Sequence, residues 1–213
     1  LTLTAATPLL VVRDLAFDAP DGRPLVAGLA YDLMPGGIVA IAGPNGTGKS
    51  TLLKIIMGEL KAARGSVTFA NKSVGYLSQL HNREFHIPLS LADVLSLGVP
   101  GRFNPAAATA LGLLAAEELG LAWNTASGGE RQKTLLTQVL MTQPQVLILD
   151  EPMNHLDNVT RGKLYAVLRD FVANGKRAIL MVCHEKLITS DELRPASIID
   201  LSKFSSLSSD SQN

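Results

Sequence analysis

One stretch, Gly43-Pro44-Asn45-Gly46-Thr47-Gly48-Lys49-Ser50-Thr51, constrains this chain more than any other. It satisfies G-x-x-x-x-G-K-S/T, the pattern of a loop that wraps nucleotide phosphates. Each position has a physical reason. The glycines let the backbone turn sharply, so that successive N–H groups converge on an anion. Lys49 has the length to reach the β- and γ-phosphates, and the Ser50 hydroxyl can hold Mg²⁺. The flanks agree with this reading. Gly37 to Ala42 reads as a short buried strand, and Ser50 to Leu60 has helical spacing. A phosphate there sits on a helix N-terminus, where the dipole assists the backbone donors. A glycine turn that meets the pattern by chance would lack the strand before it and the helix after it.

Composition narrows the class further. At 213 residues the chain suits one large domain, or a core with a small subdomain, and 46% hydrophobic residues are ample for packing. Lysine plus arginine number 19, balanced by 19 acidic residues, so no basic field holds nucleic acid by counterion release. The single cysteine, Cys183, excludes a disulfide framework and any site built on several cysteines. No apolar run approaches the ~18 residues of a membrane span, and the N-terminus lacks a basic region followed by an apolar one. A soluble protein is expected, with any membrane role supplied by a partner. The missing initiator methionine suggests a trimmed or processed chain.

The order of elements follows from periodicity and breakers. Leu9 to Arg13 and Leu25 to Tyr31 read as strands separated by a turn-rich segment, and Gly65 to Ala70 and Ser73 to Leu77 are two further β-like runs. From about 86 to 126 the character becomes helical. Ser90 is a candidate N-cap for Leu91 to Leu97, and Pro105 opens an Ala/Leu-rich helical stretch reaching Leu119. The α/β pattern resumes with a helix from Ser127 to about Met141 and an apolar strand, Val146 to Leu149, ending at Asp150-Glu151. Thr160 to Val172 is helical, Arg177 to Val182 and Ser197 to Leu201 are strands, and from Ser202 the Ser-rich tail reads as disordered. The expected organisation is an α/β core over 1–85 and 127–201, a helical insertion over 86–126, and a tail over 202–213.

Gln79, Ser127-Gly128-Gly129-Glu130, Val146 to Glu151 and His184 follow the phosphate loop in an order that resembles the ATP-binding cassette (ABC) ATPases, from about Leu9 to Leu201. The resemblance implies a phosphate-loop NTPase core with an antiparallel β subdomain and a helical insertion. It implies binding of ATP and Mg²⁺ through Gly43, Pro44, Asn45, Gly46, Thr47, Gly48, Lys49, Ser50 and Thr51. Asp150 resembles the Walker B aspartate, a metal ligand together with Ser50 and Gln79. Glu151 resembles the general base and His184 the switch histidine that supports it, while Lys49 on the phosphates and Gln79 on Mg²⁺ or the attacking water complete the catalytic set. As adjacent residues at a strand end, Asp150 and Glu151 are expected to point to opposite faces. Taken alone, Ser127-Gly128-Gly129 would be an ordinary N-cap with a glycine turn. In the family pattern, Ser127, Gly128, Gly129 and Glu130 resemble the signature that binds the γ-phosphate held by an opposite subunit. Ala126 and Glu130 stand where leucine and glutamine are commonest. Asp157 matches the D-loop. Phe17 fits the position of the ring that stacks on adenine, or else belongs to the core.

The resemblance implies a head-to-tail dimer, homomeric or of two cassettes, with ATP at its interface. It also implies integral membrane permease subunits as partners, no nucleic acid, and a peripheral place on the cytoplasmic face of the membrane. His86 to Leu95 is similar to a segment of metal and metal-chelate importer ATPases. Residues 80–97 are the expected docking zone for a membrane subunit. The alternative is a soluble ABC-F-like ATPase acting on the ribosome, because Asn154-His155-Leu156-Asp157 resembles the D-loop of that group.

Overall fold

The computed structural model describes residues 6–71, 73–79, 85–99, 101, 103–183 and 195–204. In chain order the elements are β1 (Leu10–Asp18), β2 (Pro24–Leu33), β3 (Ile38–Ala42), α1 (Lys49–Ile56), β4 (Arg64–Phe69), β5 (Val74–Leu77), α2 (Leu91–Gly98), α3 (Pro105–Ala110), α4 (Gly128–Met141), β6 (Val146–Asp150), α5 (Asn158–Ala173), β7 (Ala178–Val182) and β8 (Ser197–Asp200). They form two sheets. One is three-stranded and antiparallel, in the order β2-β1-β4; the other is five-stranded and parallel, in the order β5-β6-β7-β3-β8.

β3, β6 and β7 are buried at every position. Their unbroken apolar character suits parallel strands covered on both faces. On one face, Ile41, Ile148 and Leu180 pack with Leu52 and Leu53 of α1 and with Leu10 and Leu33 of the antiparallel sheet. On the other, Leu147, Leu149 and Met181 pack with Leu136 of α4 and with Leu164 and Leu168 of α5. The helix that follows the phosphate loop is therefore clamped between the two sheets.

The departures from the sequence reading have local causes. The two β-like runs at 65–70 and 73–77 belong to different sheets, because β4 pairs with β1 whereas β5 pairs in parallel with β6. α1 ends at Ile56, short of Leu60, as Gly58 turns left-handed (φ 76°). The helix opened by Pro105 stops at Ala110. Gly112 (φ 74°) breaks it, and only single 3₁₀ turns at Ala116–Gly120 and Trp123–Thr125 follow. Of the expected disordered tail, Ser202 to Phe204 are ordered, and 205–213 lie outside the described residues. Leu201–Phe204 forms a 3₁₀ turn with Leu201 wholly buried, and Asp200 accepts hydrogen bonds from the Ser202 backbone N–H and hydroxyl.

The helical segment carries its own apolar clusters, Leu95, Ala108, Leu114 and Leu119 in one and Leu91, Val94 and Trp123 in the other. Ser90 starts α2 with a reciprocal capping box to Asp93. The segment is tied to α4 by Gln138, whose side-chain amide donates to the Val94 carbonyl.

Because α1 carries the phosphate loop, its buried face sets where the loop sits. Leu53 is fully buried in it. Leu53→Ala is expected to lower stability by about 2–5 kcal/mol, measured by urea unfolding.

Candidate functional site

The phosphate loop leaves the carboxyl end of β3 and enters α1 through Gly48, the N-cap, with φ 92°. A Cβ built on Gly48 would lie 2.9 Å from Phe17 Cε2 and 3.1 Å from Leu25 Cδ1, so this position requires glycine for conformation and for space. The Lys49 ammonium folds back to donate to the Gly43 carbonyl at 2.7 Å and the Pro44 carbonyl at 2.9 Å. Pro44 also accepts from the Thr47 hydroxyl at 2.9 Å. The loop thereby closes on its own lysine, leaving the backbone donors to face a cleft of about 470 Å³ lined by Asn45, Gly46, Gly48, Lys49, Ser50 and Thr51.

The two ends of this cleft differ in chemistry. Gln79 and Glu151 line one part; Ala19, Pro20 and Leu25 supply an aliphatic wall. Phe17, expected as the adenine platform, does not line the cleft. Its ring is only 2% exposed and packs in the core beneath Gly48, and a ring without an open face cannot stack on a base. Ala19 lies two residues farther on. It is held by a tight turn in which its N–H donates to Arg23 O and its carbonyl accepts from Gly22 N–H. The sequence reading missed Ala19, Pro20 and Leu25, since short aliphatic residues carry no motif.

Asp150 ends β6 and is 3% exposed. Burial raises its pKa, opposed chiefly by a hydrogen bond from Ser50 and reinforced by the charge of Glu151. Its Oδ1 has no partner. A buried carboxylate oxygen without a donor, beside a hydroxyl, fits a hard cation that takes one or two protein oxygens together with phosphate oxygens, as Mg²⁺ does. No cluster of three or more acidic, His or Cys ligands exists among the described residues, so the group does not form a closed protein cage.

Glu151 is not simply the opposite-face neighbour of Asp150. It lies beyond the strand, with φ 51°. Its N–H donates to Val182 O at 3.1 Å, and the left-handed backbone brings its side chain onto the cleft wall. The Gln79 amide donates to Glu151 Oε2 at 3.5 Å, and the Asn154 amide donates to the same oxygen at 2.6 Å. Sequence reading named Asn154 only within the segment Asn154-His155-Leu156-Asp157 and gave it no role toward Glu151; it stands between the buried Met153 and Leu156.

Ser127 caps α4. Its hydroxyl accepts from Glu130 N–H at 3.2 Å, and the Glu130 carboxylate accepts from Ser127 N–H at 2.7 Å. That pairing lowers the Glu130 pKa, through the backbone bond first. The Glu130 carboxylate is thus directed at its own helix start. Gly128 and Gly129, at the first two positions of the helix, have N–H groups that need partners from outside it. Both glycines are closely covered by His155, in the segment between β6 and α5. A Cβ on Gly128 would come 3.2 Å from the His155 ring, and one on Gly129 would come 2.9 Å from the His155 carbonyl oxygen. Asp157 caps α5, its carboxylate accepting from the Thr160 N–H and hydroxyl. His184 lies outside the described residues.

The buried state of Asp150 has a measurable sign. With its pKa raised in the folded protein, its ionisation opposes folding above the ordinary carboxylate range, and the opposition disappears below about pH 4, where both states are protonated. Asp150→Asn should therefore raise the melting temperature of the nucleotide-free protein at pH 7, with the gain vanishing as pH falls below about 4.

Comparison with known proteins agrees with this geometry. The model of the ABC transporter family matches residues 26–154, more than half of the chain. The zinc import ATP-binding protein ZnuC of Paracoccus denitrificans is 34% identical over 185 residues, covering 85% of this chain and 72% of its own length. ZnuC of Pseudomonas putida is 37% identical over 166 residues, with 77% and 64% covered. The chain therefore spans about two thirds of the length of such relatives. Among solved structures, a metal-chelate type ABC transporter in an inward-facing conformation superposes with a TM-score of 0.69 at 24% identity, covering 83% of this chain and 74% of that one. An ABC transporter ATP-binding protein from Pyrococcus furiosus gives 0.74 at 22% identity, with 92% and 98% covered. At those identities the structural likeness speaks for the fold, and the family match speaks for kinship. The chain belongs to the ABC transporter family, as one of its ATP-binding domains.

Proposed function

We propose that this chain is the ATP-hydrolysing subunit of a transporter, working through separate membrane subunits, and that its cargo is a metal ion. The observation that carries the ATPase part is the single cleft lined by the phosphate loop and the Glu151–Gln79 pair, with the buried Asp150 hydrogen-bonded to Ser50 behind its wall. The cargo rests on the relatives, which are zinc import proteins by name.

In this reading Lys49 leaves the carbonyls of Gly43 and Pro44 for the β- and γ-phosphates, while the backbone of Gly46 to Thr51 holds the phosphate chain. Ser50 and Asp150, with Gln79, would hold Mg²⁺, which would supply positive charge against the phosphates. Glu151 polarises the attacking water, with Gln79 beside it; His184, which the resemblance assigns to the same group, lies outside the described residues. The base end of the nucleotide rests on the Ala19–Pro20–Leu25 wall, without an aromatic ring among the described lining residues. Ser127, Gly128 and Gly129 reach the γ-phosphate held by a second subunit, and Asp157 lies on the same interface. Two anion sites on one chain cannot share one nucleotide, so the working unit is a head-to-tail dimer.

The membrane subunit docks on the helical segment. Phe85, Val94, Leu97, Trp123 and Leu135 line an apolar depression, and Leu97 and Ile87 are 70% and 62% exposed. No helix among the described residues is long and apolar enough to cross a membrane, which fits a subunit bound peripherally at the inner face. The ABC-F-like alternative rests on the Asn154–Asp157 segment alone and is not favoured, since the similar proteins are import ATPases.

Two experiments test the reading. Glu151→Gln should retain ATP binding but lose at least about 100-fold in hydrolysis. Trapped with ATP in its native host, it should co-purify with an integral membrane protein; pelleting with ribosomes instead would overturn the transporter assignment. Leu97→Asp should abolish that co-purification while leaving the hydrolysis rate of the isolated protein within about two-fold, since the depression lies outside the cleft.

A further inference from the structure

We propose that Asn154 is a positioning residue for ATP hydrolysis, holding the Glu151 carboxylate in the orientation from which it polarises water. This rests on the reading of Glu151 as the general base. Glutamate has three side-chain torsions, and a base that wanders among rotamers spends little time in reach of the reacting water. The Asn154 amide removes that freedom. Nδ2 donates to Glu151 Oε2 at 2.6 Å, a short charge-assisted bond. The Gln79 amide reaches the same oxygen only at 3.5 Å, so Asn154 makes the closer contact of the two.

The scaffold behind Asn154 is built to keep that amide in place. Its own N–H donates to the Glu151 carbonyl at 3.2 Å, so the two residues are joined through backbone and side chain across the turn Glu151-Pro152-Met153-Asn154. Glu151 is fixed to β7 by its N–H bond to Val182 O, and Pro152 restricts φ inside the turn. On the other side of Asn154, Met153 is 2% and Leu156 is 5% exposed, and Leu156 N–H donates to Met153 O at 3.3 Å. Buried anchors on both sides leave the Asn154 side chain little choice of direction. An amide NH₂ is only a donor toward a carboxylate. It orients Glu151 without competing for the proton that Glu151 would draw from water.

The test compares Asn154→Leu, which keeps the branched shape but removes the donor, with Asn154→Ala, which removes both. Steady-state ATPase and ATP binding are measured in the wild-type background and with Glu151→Gln. The expected result is a fall of about 10- to 100-fold in kcat for both variants, with KM for ATP within about two-fold of wild type. In the Glu151→Gln background neither variant should lower the residual rate further. Asn154→Leu with wild-type kcat would overturn the proposal, as would an equal loss with and without Glu151. If Glu151→Gln itself keeps full activity, it is the assignment of the base that fails. Retained ATP binding by each variant shows that it has folded, and Asn154→Ala carries the comparison if leucine is not accommodated.

Discussion

The parallel register of three fully buried strands underlies the rest of the structure. β6, β7 and β3 lie side by side, with Asp150 opposite Val182 and Val182 opposite Ile41. That alignment brings the end of β3, where the phosphate loop begins, level with the end of β6, where the acidic pair begins. The cleft is the consequence. Functional groups gather at the carboxyl edge of such a sheet because loops leave there while the strands themselves are buried. A slip of one residue between β6 and β7 would turn Asp150 to the other face of the sheet and withdraw it from Ser50.

Beyond that edge the backbone leaves ordinary conformations. Among the described residues, four other than glycine have positive φ, and two of them, Glu151 and His155, lie within one turn after β6. A left-handed backbone at a residue with a Cβ is costly and persists where the surroundings hold it. Here the holding groups are visible. Val182 and Asn154 bind the backbone and side chain of Glu151, and Gly128 and Gly129 offer the space that His155 fills. The same short segment thus touches the acidic end of the cleft and the N-terminus of α4. It makes the geometry of one depend on the packing of the other.

Much of this was legible without coordinates. The phosphate loop, the apolar strand ending in Asp150 and the capping sequences at Ser90 and Ser127 are local signals whose chemistry depends on neighbours within a few residues. What was misread depended on distant partners. Phe17 fits the family's position for a ring on adenine or else the core, and position along the chain could not choose; its burial beneath Gly48 is decided by Leu25 and the core around it. Pro105 to Leu119 looked like one helix because alanine and leucine favour helix, but Gly112 breaks it and Glu118 caps a new turn at Ala115.

By itself, then, the sequence determined a phosphate-loop pattern between a buried strand and a helix, and an apolar strand that ends in an acidic pair. These conclusions rest on short-range periodicity and turn chemistry. Tertiary structure alone decided that Glu151 turns left-handed onto the cleft beside Asp150, that Asn154 grips its carboxylate, and that Ala19, Pro20 and Leu25 give the cleft an aliphatic wall. Each of those outcomes needs groups brought together across sheet register and helix packing, and no spacing along the chain encodes such distances.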